Sequence, residues 1–141
     1  MECIAYKDGY KYQLYEEYSV TIPVKPTADI ETAYINLALD GSLVIKQGYA
    51  WDGPSGPTID TKDFMRGSLV HDALYQLMRG GFLEKSVYRE QADKLLREMC
   101  KEDGMFPLRA WWVYIGVSMG GDGAADKKNL KDIIKAPKSC R

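Results

Sequence analysis

Histidine is almost absent from this 141-residue chain, because His71 is the only one. A single imidazole excludes every metal site built on several histidines, including the His-x-x-x-His zinc motif. Cysteine is also scarce: Cys3, Cys100 and Cys140 lie far apart and have no Cys-x-x-Cys spacing. An odd number of distant cysteines argues against a disulfide framework and against a cysteine-based zinc site. A reducing compartment is the simpler expectation.

Excess charge and long apolar runs are missing too. The formal net charge is -1 and the pI is near 5.9, which argues against a nucleic-acid binder driven by counterion release. The longest apolar segment, residues 110–119, is about half of the ~18 residues that a membrane span needs. The N-terminus lacks the charged and apolar regions of a signal peptide. We therefore expect a soluble protein, intracellular at synthesis, with no transmembrane segment and no nucleic-acid partner.

The first part of the chain, up to about residue 60, has the pattern of strands. Apolar residues alternate with polar ones over residues 10–14 and 18–24, and a period of two is typical of strands. A hairpin is predicted around Asp40-Gly41. Its two strands would cover residues 34–39 and 42–48.

The second part follows a loop rich in glycine and proline and has the pattern of helices. The first predicted helix begins after a cap at Asp60 or Thr61 and runs to about Met78, before Gly80-Gly81. The second runs from about Ser86 to Glu102, and the third from Pro107 to Gly120-Gly121. A short fourth helix is predicted around 126–135.

The fold class is therefore α+β, a small N-terminal antiparallel β-sheet followed by a three-helix C-terminal half. The length fits one domain, 1–141. We divide it into a β-rich part over 1–58, a helical part over 59–121 and a tail over 122–141.

His71 lies on the apolar stripe of the first predicted helix. Ser68 and Tyr75 lie three and four residues away on the same face. Half-burying an imidazole and a phenol without partners would cost several kcal/mol, so some network must connect them. A lone histidine on such a stripe is often a satisfied core residue, and a catalytic role is the alternative.

Asp72 points about 100° around the helix from His71 and is free to face the loop at 52–57. A carboxylate beside a loop that presents backbone carbonyls is a candidate site for a hard cation. The alternative is a solvated helix residue.

Asp93 on the second predicted helix has Arg89 and Arg97 four residues to either side. One interpretation is a surface ladder of ion pairs, worth a few tenths of a kcal/mol each. The other is that Asp93 turns inward and orients His71, because a carboxylate on one ring nitrogen raises the basicity of the other.

The loop after Trp51 carries further polar groups. Ser55 could act as a nucleophile with His71 as its base, but Pro54 does not suit the strand–turn–helix elbow of such serines. Asp52 and Ser55 are instead expected to shape the loop by accepting hydrogen bonds from backbone amides.

The tryptophans are expected mostly in the core or in interfaces. Trp111 and Trp112 are adjacent, so they must show two different faces of the third helix. One of them should be partly exposed, which suggests a contact with a partner or with lipid.

The order of these motifs resembles a known family. The motifs are Gly48-Tyr49-Ala50-Trp51-Asp52-Gly53-Pro54-Ser55, then His71-Asp72-Ala73-Leu74-Tyr75, then Arg89 with Ala92-Asp93 and a final aromatic helix. They resemble the phage and prophage family of unknown function numbered thirteen fifty-three, over residues 47 to 120. The resemblance implies a tailed-phage origin, and hence the host cytoplasm or the virion as location. It implies no established activity.

A more local resemblance is to the catalytic helices of bacterial phospholipases A2, which carry His-Asp-x-x-Tyr on one helix and an aspartate on the next. It implies that His71 is the general base on water and that Asp93 and Tyr75 orient it. Asp72 would bind Ca²⁺ with the loop at Gly53. The disulfides of those enzymes are absent, and Pro54 and Pro57 depart from their calcium loop.

Two functions follow from the sequence. The first is a hydrolase-like site that activates water on an ester, with or without Ca²⁺ and with lipid as a partner. The second is a non-enzymatic virion component or host-interaction protein, in which the cluster of His71, Asp72 and Asp93 is structural. Under either function, loop or structural roles are expected for Trp51, Asp52, Ser55 and Arg89. The oligomeric state is not predicted.

Overall fold

The computed structural model describes residues 4–6, 12–51, 62–125 and 134–136. These residues form eight strands and three helices. The strands are β1 Ile4–Tyr6, β2 Tyr12–Gln13, β3 Tyr18–Thr21, β4 Ile30–Glu31, β5 Ile35–Leu37, β6 Ser42–Ile45, β7 Ala50–Trp51 and β8 Ile134–Ala136. The helices are α1 Lys62–Arg79, α2 Lys85–Glu102 and α3 Pro107–Ala125. The predicted α+β class is confirmed.

The main sheet is antiparallel, with four strands in the order β3-β6-β5-β4. Its centre is the predicted hairpin of β5 and β6. The turn closes through Asp40, whose Oδ1 accepts a hydrogen bond from Ser42 N at 2.9 Å. Gly41 has a φ of 91°, and a Cβ there would collide with the carbonyl oxygen of Ile22. Glycine is therefore required in this turn.

The strand predicted over residues 18–24 is shorter in the structure, since β3 ends at Thr21. Pro23 accounts for the end, because proline has no N–H to donate to a neighbouring strand. Ile22 and Val24 are still buried. The alternating pattern thus predicted the buried face better than the length of the strand.

The remaining strands form two antiparallel pairs, β2 with β7 and β1 with β8. The second pair corrects the expectation for the tail, because Ile134–Ala136 is a strand where a helix was predicted over 126–135. Ile134 is β-branched, and Pro137 disfavours helical backbone at Ala136. Residues 126–133 lie outside the described residues.

The first two helices begin and end close to their predicted positions. The chain turns after α1 at Gly81 and after α2 at Gly104, with φ of 81° and 101°. The predicted end of α3 at Gly120-Gly121 is wrong, because the helix continues to Ala125. Glycine permits a left-handed turn without imposing one, and Gly120 is not among the described glycines with positive φ. In the described part of the chain, no helix has the length and apolar character required to cross a membrane.

One hydrophobic core joins the main sheet to α1 and α2. Leu43 and Ile45 from the sheet are fully buried, as are Leu74 and Leu77 from α1. A smaller cluster between the helices contains Phe64, Leu96, Cys100, Met105, Ala110 and Val113.

A glycine sets the distance between α1 and α2. A Cβ on Gly67 would lie 3.0 Å from Leu96 Cδ1 and 3.2 Å from Cys100 Sγ, so the two helices approach closely at this point. Gly67 lies one turn before His71, and Leu96 lies three residues after Asp93. The antiparallel course of the helices therefore brings His71 and Asp93 opposite each other.

Candidate functional site

The site is built on three side chains from two helices. His71 Nε2 of α1 lies 2.7 Å from Asp93 Oδ1 of α2. Tyr75, one turn after His71, donates its hydroxyl to the same Asp93 oxygen at 2.6 Å. A carboxylate can only accept hydrogen bonds, so Nε2 carries the hydrogen in this contact. The other ring nitrogen, Nδ1, is left to face away from Asp93.

The structure decides between the two interpretations of Asp93. It is 0% exposed, so it is turned inward and is not part of a surface ladder. Arg89 Nη1 lies 4.0 Å from Asp93 Oδ2 and donates to the backbone oxygen of Ser118 in α3 at 3.1 Å. The guanidinium carbon of Arg97 lies 6.0 Å from the centre of the Tyr114 ring. Both arginines therefore reach towards α3.

His71 is buried, with 8% of its surface exposed. Loss of solvent acts to lower the pKa of its ring, but the carboxylates of Asp72 and Asp93 outweigh this loss, and the pKa is raised above its ordinary value. Burial and then the neighbouring Asp93 raise the pKa of Tyr75. Tyr75 is therefore a hydrogen-bond donor at every physiological pH, and the raised pKa means that His71 takes up a proton more readily than a free imidazole does.

Asp72 occupies the solvent side of the cluster. Its side chain is 31% exposed, and its Oδ1 lies 3.9 Å from His71 Nδ1, too far for a hydrogen bond. It is therefore neither fully solvated nor bonded to the ring.

The described residues do not form a calcium site. Calcium needs six to eight oxygen ligands, and no group of three or more metal-binding side chains occurs among the described residues. Asp72 supplies one carboxylate, and Gly53, its expected companion, lies outside the described residues. No step of chemistry is therefore assigned to a metal.

Trp51 joins the β2–β7 pair to the same face of α1. Its Nε1 donates to Ser68 Oγ at 3.2 Å, and Ser68 in turn donates to the backbone oxygen of Met65 at 2.9 Å. Trp51 is 7% exposed, so its predicted core position is confirmed. Asp52 and Ser55, which follow it, lie outside the described residues. Trp51, the last described residue before them, contacts α1 at Ser68, three residues before His71.

Two aromatic neighbours of Trp51 were not singled out from the sequence. The ring of Tyr12 lies 5.6 Å from that of Trp51, and the ring of Tyr49 lies 6.4 Å from it in a stacked arrangement. Tyr12 belonged to an alternating segment that predicted a strand, and Tyr49 belonged to the motif that precedes the loop, but neither pattern showed which strands pair. The contact depends on the β2–β7 register, which places Tyr12 opposite Trp51.

The tryptophan pair of α3 differs in part from expectation. Both side chains are exposed, Trp111 at 41% and Trp112 at 63%, and their rings meet edge to face at 5.5 Å. One partly exposed tryptophan was expected. Both are exposed because α3 contacts the other helices through Ala110 and Val113, on the side of α3 opposite to the pair.

Residues 29–117 match the family described as protein of unknown function (DUF1353). The chain belongs to the DUF1353 family. The match extends from the strand β4 into α3 and includes His71, Tyr75, Arg89 and Asp93. No curated protein and no solved structure matches the chain significantly. The resemblance to phospholipase A2 therefore gains no support from the comparisons, and membership of DUF1353 brings no known activity.

Proposed function

We propose that this DUF1353 protein is a hydrolase in which His71 is the general base. One observation carries the proposal: Asp93 Oδ1 accepts from His71 Nε2 at 2.7 Å and from Tyr75 at 2.6 Å. This contact fixes the ring and its tautomer, so the lone pair is on Nδ1. A buried carboxylate on one nitrogen raises the basicity of the other.

The reaction requires water and an ester. Nδ1 takes a proton from water while the water oxygen attacks the ester carbonyl. Asp93 stabilises the imidazolium that results. The proton on Nδ1 then passes to the departing alkoxide, which leaves a carboxylic acid and an alcohol. Every proton is accounted for by water and His71, with no metal in the scheme.

A phospholipid ester is the proposed substrate class. The local pattern His71-Asp72-x-x-Tyr75, with Asp93 on the following antiparallel helix, supports it. The side chain of Asp72, 31% exposed, marks the side from which water and substrate would reach Nδ1. Phage or prophage origin, residence in the host cytoplasm or the virion, and a phage, host or lipid partner rest on the sequence pattern alone and are part of the proposal.

A second candidate is a non-enzymatic phage protein in which the same cluster is structural. Burial favours it, since Asp93 is 0% and His71 8% exposed. In that case the hydrogen bonds to Asp93 join α1 to α2, and the ring needs no access to a substrate.

Replacing His71 with glutamine separates the two candidates. Glutamine keeps a side-chain N–H for Asp93 but cannot act as a base near neutral pH. Lys94→Gln is the control, because Lys94 lies beside Asp93 in sequence but is exposed and paired with Glu90 at 2.9 Å.

Both variants and the wild type are assayed on a fluorogenic ester and on anionic phospholipid vesicles, with Ca²⁺ and with a chelator. The hydrolase proposal expects turnover in the wild type and in Lys94→Gln, and its loss in a folded His71→Gln. Absence of turnover in the wild type on both substrates, together with a large loss of stability in His71→Gln, would favour the structural candidate.

A further inference from the structure

The two oxygens of Asp93 are in unequal surroundings. Oδ1 accepts two hydrogen bonds, from His71 and Tyr75. Oδ2 is buried and has no hydrogen-bond partner among the described residues. A buried carboxylate that is only half satisfied is costly unless a positive charge lies nearby.

Arg89 supplies that charge from a fixed position. Its Nη1 lies 4.0 Å from Asp93 Oδ2, which is beyond hydrogen-bond reach but within the range of an ion pair. The same Nη1 donates to the backbone oxygen of Ser118 at 3.1 Å. The contact with α3 thus holds the guanidinium close enough to compensate the charge of Asp93 without withdrawing the carboxylate from His71.

We propose that Arg89, anchored on α3 at Ser118, is a positioning residue that holds the Asp93 carboxylate against His71 and thereby keeps the hydrogen of the neutral His71 ring on Nε2. The catalytic value of this role rests on the proposed function, since only that tautomer leaves Nδ1 free to accept a proton from water.

Loss of the cation has a defined consequence for the ring. Without the guanidinium, the buried Oδ2 has neither a hydrogen-bond partner among the described residues nor the charge of Arg89 nearby, and such a carboxylate is costly to keep in place. The Asp93 carboxylate is then held less firmly against His71, and the preference of the ring hydrogen for Nε2 weakens. Where the hydrogen occupies Nδ1 instead, that nitrogen has no lone pair to offer.

The chain provides a matched control for the loss of charge. Arg97 lies four residues after Asp93, as Arg89 lies four before it. Its guanidinium is over the Tyr114 ring, at 6.0 Å, and no ion pair between Arg97 and Asp93 appears among the described contacts. Arg97→Gln and Arg89→Gln remove the same charge from the same helix, but only Arg89 is placed at Oδ2.

The tautomer is measured by nitrogen NMR of the ¹⁵N-labelled imidazole, at a pH where the ring is neutral. Since His71 is the only histidine, its two nitrogens are assigned without ambiguity. We expect the Nε2–H form in the wild type, in Arg97→Gln and in Arg89→Lys, which keeps the charge. In Arg89→Gln the ratio of Nδ1–H to Nε2–H should rise about tenfold, equivalent to about 1.4 kcal/mol.

An unchanged tautomer in a folded Arg89→Gln overturns the proposal, and so does an equal change in Arg97→Gln. Failure of both Arg89 variants to fold would assign Arg89 to the framework and would overturn it as well. The measurement needs no turnover. A tautomer shift in a protein that hydrolyses nothing would therefore reject the hydrolase while leaving the role of Arg89 in place.

Discussion

His71 and Asp93 are 22 residues apart in the chain, yet their Nε2 and Oδ1 atoms lie 2.7 Å apart at the centre of the α1–α2 interface. Packing makes this contact possible, because Gly67 lets the two helices approach one turn earlier. Tyr75 shares the same acceptor oxygen. The site and the helix interface are consequently the same structure, and changes at the site will affect both stability and chemistry.

Replacing Asp93 with asparagine should destabilise the fold by about 2–4 kcal/mol, since it removes the charge from two buried hydrogen bonds. Tyr75→Phe removes one donor and leaves the other in place, so its cost should be about 1–2 kcal/mol. Urea unfolding followed by circular dichroism measures both free energies. A loss below about 0.5 kcal/mol in both variants would contradict the geometry.

The raised pKa of His71 predicts how stability depends on pH. Burial opposes the charged ring, but Asp72 and Asp93 together favour it. Because the pKa of His71 is higher in the folded than in the unfolded protein, protonation of the ring stabilises the fold. This stabilisation is complete at pH values below the ordinary histidine pKa of about 6.5. It is lost as the pH rises through the pKa of His71 in the folded protein. NMR titration of the single histidine should give a midpoint above about 6.5, and hydrolysis by the neutral base should increase through the same range. A midpoint below that value would show that loss of solvent dominates.

The fold class and the order of the strands and helices could be predicted from the sequence, because local patterns determine them. The hairpin depended on Asp40-Gly41, and the ends of α1 and α2 depended on glycines with positive φ. Tertiary context overrode the pattern at the end of α3, where Gly120 stays helical. It also did so at Ile134–Ala136, which pairs with β1, a partner that no local pattern reveals.

The candidate site was predictable in its residues but not in its geometry. Helical spacing placed His71 and Tyr75 on one face, and an inward Asp93 was one of two interpretations. The close approach at Gly67 and the anchoring of Arg89 by Ser118 depend on how three helices pack, so spacing along the chain could not show them. Asp52, Gly53 and Ser55 lie outside the described residues and stay as sequence predictions.

The hydrogen bond from Trp51 to Ser68 should couple the stability of the β2–β7 pair to that of α1. Trp51→Phe, Ser68→Ala and the double variant form a double-mutant cycle. We expect a coupling energy of about 0.5–1.5 kcal/mol, the net value of a buried hydrogen bond. Chemical unfolding of all four proteins gives this energy. Strict additivity would show that the 3.2 Å contact contributes nothing of its own.

Two glycine-to-alanine changes should have opposite effects on stability. At Gly67 a Cβ would lie 3.0 Å from Leu96 Cδ1 and 3.2 Å from Cys100 Sγ, whereas at Gly116 it would meet nothing within 4 Å. Alanine gains about 0.5–1 kcal/mol over glycine in a helix that has room for it, so Gly116→Ala should raise the unfolding free energy. Overpacking costs about 1–3 kcal/mol, so Gly67→Ala should lower it.

The same pair tests whether the helix approach sets the site. Separation of α1 from α2 in Gly67→Ala should lengthen the contact between His71 and Asp93 and move the ring Nε2 hydrogen to higher field in the proton NMR spectrum. Gly116→Ala lies in α3 and should leave this resonance in place. If Gly67→Ala is destabilised but the resonance does not move, then only the side chains of Leu96 and Cys100 have shifted to accommodate the new Cβ. The distance between His71 and Asp93 would then be independent of Gly67.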